Sequence, residues 1–156
     1  MIISDATILI TLINIDEFRV LKLFIDKIII PHEVYNEVSR KASAKKYIDT
    51  QIDEAFISVE CYEDFKLFKE INYLLDAGES ASIALGLERN LPLIIDEKKG
   101  RRFAKKQGVE IIGLVGILRF LYSDRRLSKE ETISIVKKIN GSDFRISSKL
   151  LALILA

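Results

Sequence analysis

The feature that most limits how this chain can fold is a set of short, unbroken apolar runs separated by stretches with helical spacing. Met1-Ile2-Ile3-Ser4-Asp5, Lys27 to Ile30, Leu93-Ile94-Ile95 and Val109 to Ile112 are apolar at nearly every position rather than at alternate ones. A strand of that kind has no face for water, so it belongs in a parallel sheet covered on both sides. Phe56 to Val59 is a further β-rich patch. Between the runs, Thr7 to Ile13, Phe18 to Ile25, His32 to Lys41, Asp64 to Leu75, Glu79 to Arg89, Lys98 to Gln107, Gly113 to Tyr122 and Ser128 to Ile139 have helical spacing. Pro31 suits a first helical turn, Gly108 a helix end, and Ser128 with Glu131 a capping box. The predicted fold is α/β, with a central, mostly parallel sheet flanked by helices in three layers.

Length and composition set the scale of that fold. A chain of 156 residues is the size of one domain, and no linker or internal repeat divides it. The expected unit is therefore residues 1–156, with C-terminal helices over about 128–156 packing on the domain or on a dimer partner. Basic and acidic residues number 24 and 23, so any electrostatic specialisation must be local. The single Cys61 and single His32 exclude an intramolecular disulfide and offer no zinc pattern. Carboxylates are the abundant catalytic material. The N-terminus lacks a basic flank and a cleavage site, and the longest apolar run, Leu150 to Ala156, is far short of the roughly 20 residues that span a bilayer. The expected location is cytoplasmic, with no membrane contact.

Four acids stand where such a fold could gather them. Ligands of an open parallel sheet bind beyond the carboxyl ends of its strands. Asp5 and Asp96 each follow an apolar strand, so both should emerge on that edge. Glu37 lies at the margin of the buried stripe of the helix after the second strand. Glu79 shares a helix face with Ile83 and Leu87, where an acid is costly to bury without compensation. If the four converge, their repulsion calls for a cation, and hard oxygen donors favour Mg²⁺ or Mn²⁺. Such an ion suits phosphodiester hydrolysis. Thr7 and Ser4 could support Asp5, or Thr7 could cap the next helix. Glu97, beside Asp96, could make the closer contact.

These residues resemble the PIN-domain family of metal-dependent ribonucleases, in the branch close to VapC-type toxins. Ser4-Asp5-Ala6-Thr7 is similar to the family's first acidic motif, and Pro31 to Val38 to its second, with Glu37 one turn into the helix. Gly78-Glu79-Ser80-Ala81 resembles the third, with Glu79 where many members have Asp, and Leu93-Ile94-Ile95-Asp96 the fourth. Lys99 to Leu118 and Phe144-Arg145-Ile146-Ser147 continue that branch's pattern, so the likeness covers nearly the whole chain. It implies a PIN fold and an endoribonuclease in which Asp5, Glu37, Glu79 and Asp96 ligate Mg²⁺ or Mn²⁺, with RNA as substrate. A homodimer and a small antitoxin protein are the further partners it implies, the chain then being the toxin of a toxin–antitoxin pair. The competing reading is a PIN-like module that binds RNA or protein without cutting.

Between Lys98 and Lys106, six of nine residues are Lys or Arg and none is acidic. Lys98, Arg101, Arg102 and Lys105 fall on one stripe of a helix, Lys99 and Lys106 on another. The first stripe is the candidate for RNA phosphates, with Phe103 and Ala104 packing inside. An alternative is that Arg101 pairs with Glu97 and only steadies the helix. Close helix–strand packing would explain Gly113 and Gly116. His32 reads as a surface or cap residue, and Cys61 as a small packed hydrophobe.

Overall fold

The computed structural model describes all 156 residues. In chain order the elements are β1 (Ile2–Ser4), α1 (Ala6–Asn14), α2 (Arg19–Phe24), β2 (Ile28–Ile30), α3 (His32–Val38), α4 (Ala42–Asp53), β3 (Ile57–Val59), α5 (Phe65–Asn72), α6 (Ala77–Arg89), β4 (Leu93–Ile94), α7 (Lys98–Lys106), β5 (Ile111–Ile112), α8 (Leu114–Ser123), α9 (Lys129–Asn140) and α10 (Ser148–Ile154). The five strands form one sheet in the order β3-β2-β1-β4-β5, and every pairing is parallel. Ten helices flank it, giving the three-layer α/β fold expected.

The unbroken apolar runs are explained by the two cores. Ile2, Ile28, Ile30, Ile57 and Ile94 face a cluster that includes Leu9, Val34, Ile117 and Ile135. Their neighbours Ile3, Ile29, Leu93 and Ile95 face a second cluster built on Ile71, Ile83 and Leu85. Successive strand residues point to opposite faces, and helices cover both, so nearly every position is apolar. No helix is long and apolar enough to cross a membrane.

Helix ends follow local chemistry more closely than periodicity does. Asp76 accepts from the Glu79 amide at 2.8 Å, so α6 starts two residues before Glu79. Asn90 closes that helix with φ of 51°, a left-handed cap. Ser128 and Glu131 form the expected capping box at the start of α9. Gly108 ends α7 with φ of +81°. Helix α3 is shorter than its spacing suggested and stops at Val38, and Pro31 is its N-cap rather than part of its first turn. Cys61 is a correction. It is exposed in the loop after β3 rather than packed.

The sheet order sets the site. From β1 the chain builds outward through β2 to β3, then returns to place β4 on the other side of β1. The β1–β4 boundary is the switch point, where loops diverge and leave a crevice at the carboxyl edge. Asp5 and Asp96 follow these two neighbouring strands, and the Asp5 amide donates to the Ile94 carbonyl at 3.0 Å.

Candidate functional site

Asp5 is 5% exposed and N-caps α1, although its carboxylate makes no capping bond. Burial pushes its carboxyl up to about 7, reinforced by the charges of Asp76, Glu37 and Asp96 and opposed by the Ala6 amide. Ser4 supports it only through the backbone, its hydroxyl donating to the Asp5 carbonyl. Thr7 is exposed and caps nothing, so it supports neither the carboxylate nor the helix.

Gly78 shows how the acids are gathered. A methyl group in place of its hydrogen would lie 3.4 Å from Asp5 Oδ1, 3.5 Å from Glu37 Oε1 and 3.6 Å from Asp76 Oδ1. Three carboxylate oxygens from three elements thus surround one bare Cα on α6. Burial raises the Glu37 carboxyl, with Asp76 adding to the effect and Arg40 opposing it. Asp76 is the site residue that sequence reasoning missed. It reads as a helix breaker, and the only signal of a second role is that an acid capping this helix must sit beside the acid three residues on.

Glu79 is 6% exposed in the first turn of α6. Burial first, then Asp76, Asp5 and Glu97, hold its carboxyl at about 7. Its other wall is Gly100 of α7, where an added methyl would lie 3.5 Å from the Glu79 carboxyl carbon and 2.7 Å from Ile95. Glu97 is exposed, accepts weakly from the Lys99 amide and contributes charge rather than contact. Between the two neighbouring acids, Asp96 is the one turned inward.

Asp96 is held by the start of α8. The Leu114 amide donates to its Oδ2 at 3.1 Å and Oδ1 at 3.4 Å. Burial still raises this carboxyl, against the Leu114 amide and the Arg101 charge. Arg101 stands 3.7 Å from Asp96 Oδ1 and donates to the Ile95 carbonyl, so its partner is Asp96 and the i,i+4 pair with Glu97 does not form. Gly113 lies under both groups. A methyl there would meet Asp96 Oδ1 at 2.5 Å and collide with the Arg101 guanidinium. Helix–strand packing therefore accounts for Gly116, which abuts Ile112, while Gly113 makes room for the Asp96–Arg101 pair.

The basic helix forms, with Ala104 buried as expected and Phe103 only partly so; Gly100 is buried as well, while the lysines and Arg102 face outward and Arg101 turns towards Asp96. Lys98 and Arg101 line a cleft beside Asp96 together with Gly113, Phe144 and Arg145. Arg102 and Lys105 are exposed farther along and do not reach that cleft.

The arrangement brings Asp5, Glu37 and Glu79 to one edge with Asp76, and places Asp96 at its margin. All donors are carboxylate oxygens, which suits Mg²⁺ or Mn²⁺. As they stand, no three His, Cys, Asp or Glu side chains close around a common point tightly enough to hold a metal ion. Like charges held near one another separate or take up protons unless a cation is present. Elevated carboxyls, an open space at Gly78 and an all-oxygen donor set fit a divalent cation that would draw these side chains inward.

Residues 1–156 match a family model described as a PIN domain. No curated protein matches the chain.

Proposed function

The chain belongs to the PIN-domain family, whose members are generally nucleases and typically use divalent metal ions; from that membership and the acid cluster we propose that it is a Mg²⁺- or Mn²⁺-dependent endoribonuclease. The observation that carries the reading is the approach of Asp5, Glu37 and Asp76 to the bare Cα of Gly78, with Glu79 and Asp96 alongside. In this reading Asp5, Glu37, Glu79 and Asp96 hold the ion, and Asp76 contributes a further carboxylate from the α6 cap. A divalent ion in such a site supplies charge neutralisation at the phosphodiester and activation of the attacking water.

The chain's own residues do the rest. The Leu114 amide at the start of α8 fixes Asp96 in one orientation, and the Asp76 cap fixes the first turn of α6, which carries Glu79. Lys98 and Arg101 flank Asp96 on the cleft side, where they hold backbone phosphates without reading sequence. Single-stranded or looped RNA is the substrate in this reading, because its backbone is accessible. A role as the toxin of a toxin–antitoxin pair, with a small antitoxin protein, a homodimeric state and a cytoplasmic location, completes the proposal.

One observation favours a non-cleaving RNA-binding module: the acids are not closed around a point. Incubation of purified protein with single-stranded RNA separates the two readings. Cleavage in Mg²⁺ or Mn²⁺ that stops in EDTA and in Asp5→Asn and Asp96→Asn is the expected result. Binding without cleavage in every metal tested would assign the module instead.

A further inference from the structure

We infer that the exposed face of α5 is the platform along which single-stranded RNA approaches the acid cluster, its bases stacking on Phe65 and Tyr73 and its phosphates held by Lys66 and Lys69. The inference rests on the ribonuclease reading and assigns the surface that binds the strand outside the acids.

Phe65 is 65% and Tyr73 89% exposed, on a helix whose Ile71 is buried. Tyr73 continues the helical backbone past Asn72, with φ of −65° and ψ of −27°. At about 100° per residue, Phe65, Lys69 and Tyr73 form an i, i+4, i+8 ridge with Lys66 beside it. Glu70, the only acid within the helix, falls at the edge of this arc. Neither Lys66 nor Lys69 joins an ion pair, so both ammonium groups are available to an anion.

Position decides the occupant. The helix begins just beyond the carboxyl end of β3, on the edge that carries the acids, and ends at Asn72, four residues before Asp76, which opens α6. The ridge therefore lies at the margin of the cluster. Its base is fixed: the Phe65 ring packs edge-on to Tyr62 at 5.4 Å, Tyr62 stacks on Phe68 at 4.8 Å, and the Tyr62 hydroxyl donates to Glu33 of α3 at 2.6 Å. Rigid aromatic faces interleaved with unpaired lysines suit a flexible polyanion with planar bases, since stacking tolerates any base and lysines follow the backbone.

Fluorescence anisotropy with a labelled single-stranded oligoribonucleotide in EDTA, which blocks metal-dependent cleavage, tests this on the full chain. Tyr73→Ala and Phe65→Ala should each weaken binding about fivefold or more, the effect of losing one stacked base. Tyr73→Trp should restore it, and Lys66→Gln/Lys69→Gln should flatten the salt dependence. Hydrolysis of a small phosphodiester, bis(p-nitrophenyl) phosphate, in Mn²⁺ should be unchanged in Tyr73→Ala, because that substrate does not reach the ridge. Wild-type RNA cleavage with unaltered affinity in both alanine variants overturns this inference and leaves the ribonuclease reading standing. A wild type that neither binds nor cuts RNA overturns both. Altered mass by light scattering with unaltered RNA affinity reassigns the ridge to protein contact and overturns the inference.

Discussion

Asp5 is a carboxylate that the fold holds against its own preference. Its raised carboxyl, at about 7, binds a proton more readily in the folded chain than in the unfolded one, where the usual value is near 4. The sign follows from linkage: this group's favourable contribution is fully present below about pH 4 and is lost as pH rises through about 7. Asp5→Asn removes the titration. Without metal, its melting temperature should exceed that of wild type by a margin that grows between pH 4 and 7 and then levels off. Thermal melts in EDTA across that range measure it, and a margin independent of pH would contradict the burial argument. Gly113 carries a second prediction at this scale. Its backbone is extended, with φ of −109° and ψ of 179°, so any residue can adopt it and only space is limiting. Gly113→Ala should lower stability by about 1–3 kcal/mol, the usual cost of overpacking. It should also weaken Mn²⁺ binding by displacing Asp96. Chemical denaturation and metal titration test the two halves separately. Asp5 and Asp96 were legible because an acid ending an apolar strand has one place to go. Asp76 was not, because capping alone accounts for an Asp at a helix start. Cys61 misled because a lone thiol after a strand fits packing and exposure equally until the loop is placed.

Helices were legible in their middles and less so at their ends. Spacing marks where a helix buries its stripe, whereas caps and neighbours decide where it stops. Hence α3 ends at Val38, and Asp76 carries α6 two residues farther back than its apolar pattern does. The basic helix α7 shows the same division. The packing of Ala104 and, in part, Phe103 followed from sequence, but the burial of Gly100 did not, and the commitment of Arg101 to Asp96 depends on β4 and α8 lying next to each other. Arg101 is therefore committed to Asp96, and a cleaner test of phosphate binding uses Lys98, which lines the same cleft. Lys98→Gln should reduce the salt dependence of RNA binding, with the log–log slope falling by roughly 0.7 for the single-strand phosphate that is no longer neutralised. An unchanged slope, measured over several salt concentrations, returns this helix to a solvated surface.

For the molecule as a whole, apolar runs and helical intervals were enough to identify a helix-covered parallel sheet, but not its strand order. Order depends on pairings between distant segments, such as Ile3 with Leu93, that no local pattern encodes. That order is what matters for the site, because it puts β1 and β4 side by side and so brings Asp5 and Asp96 to one crevice. The central claim is that this crevice gathers carboxylates for a divalent cation. Electron paramagnetic resonance of Mn²⁺ titrated into the metal-free protein at pH 8, where the acids are ionised, tests it directly by following loss of the free-ion signal. The wild type should take up Mn²⁺ saturably at submillimolar concentration, and Asp5→Asn and Asp96→Asn should lose most of that uptake while remaining folded. A wild-type chain that leaves the free Mn²⁺ signal equal to buffer up to millimolar metal would contradict the account.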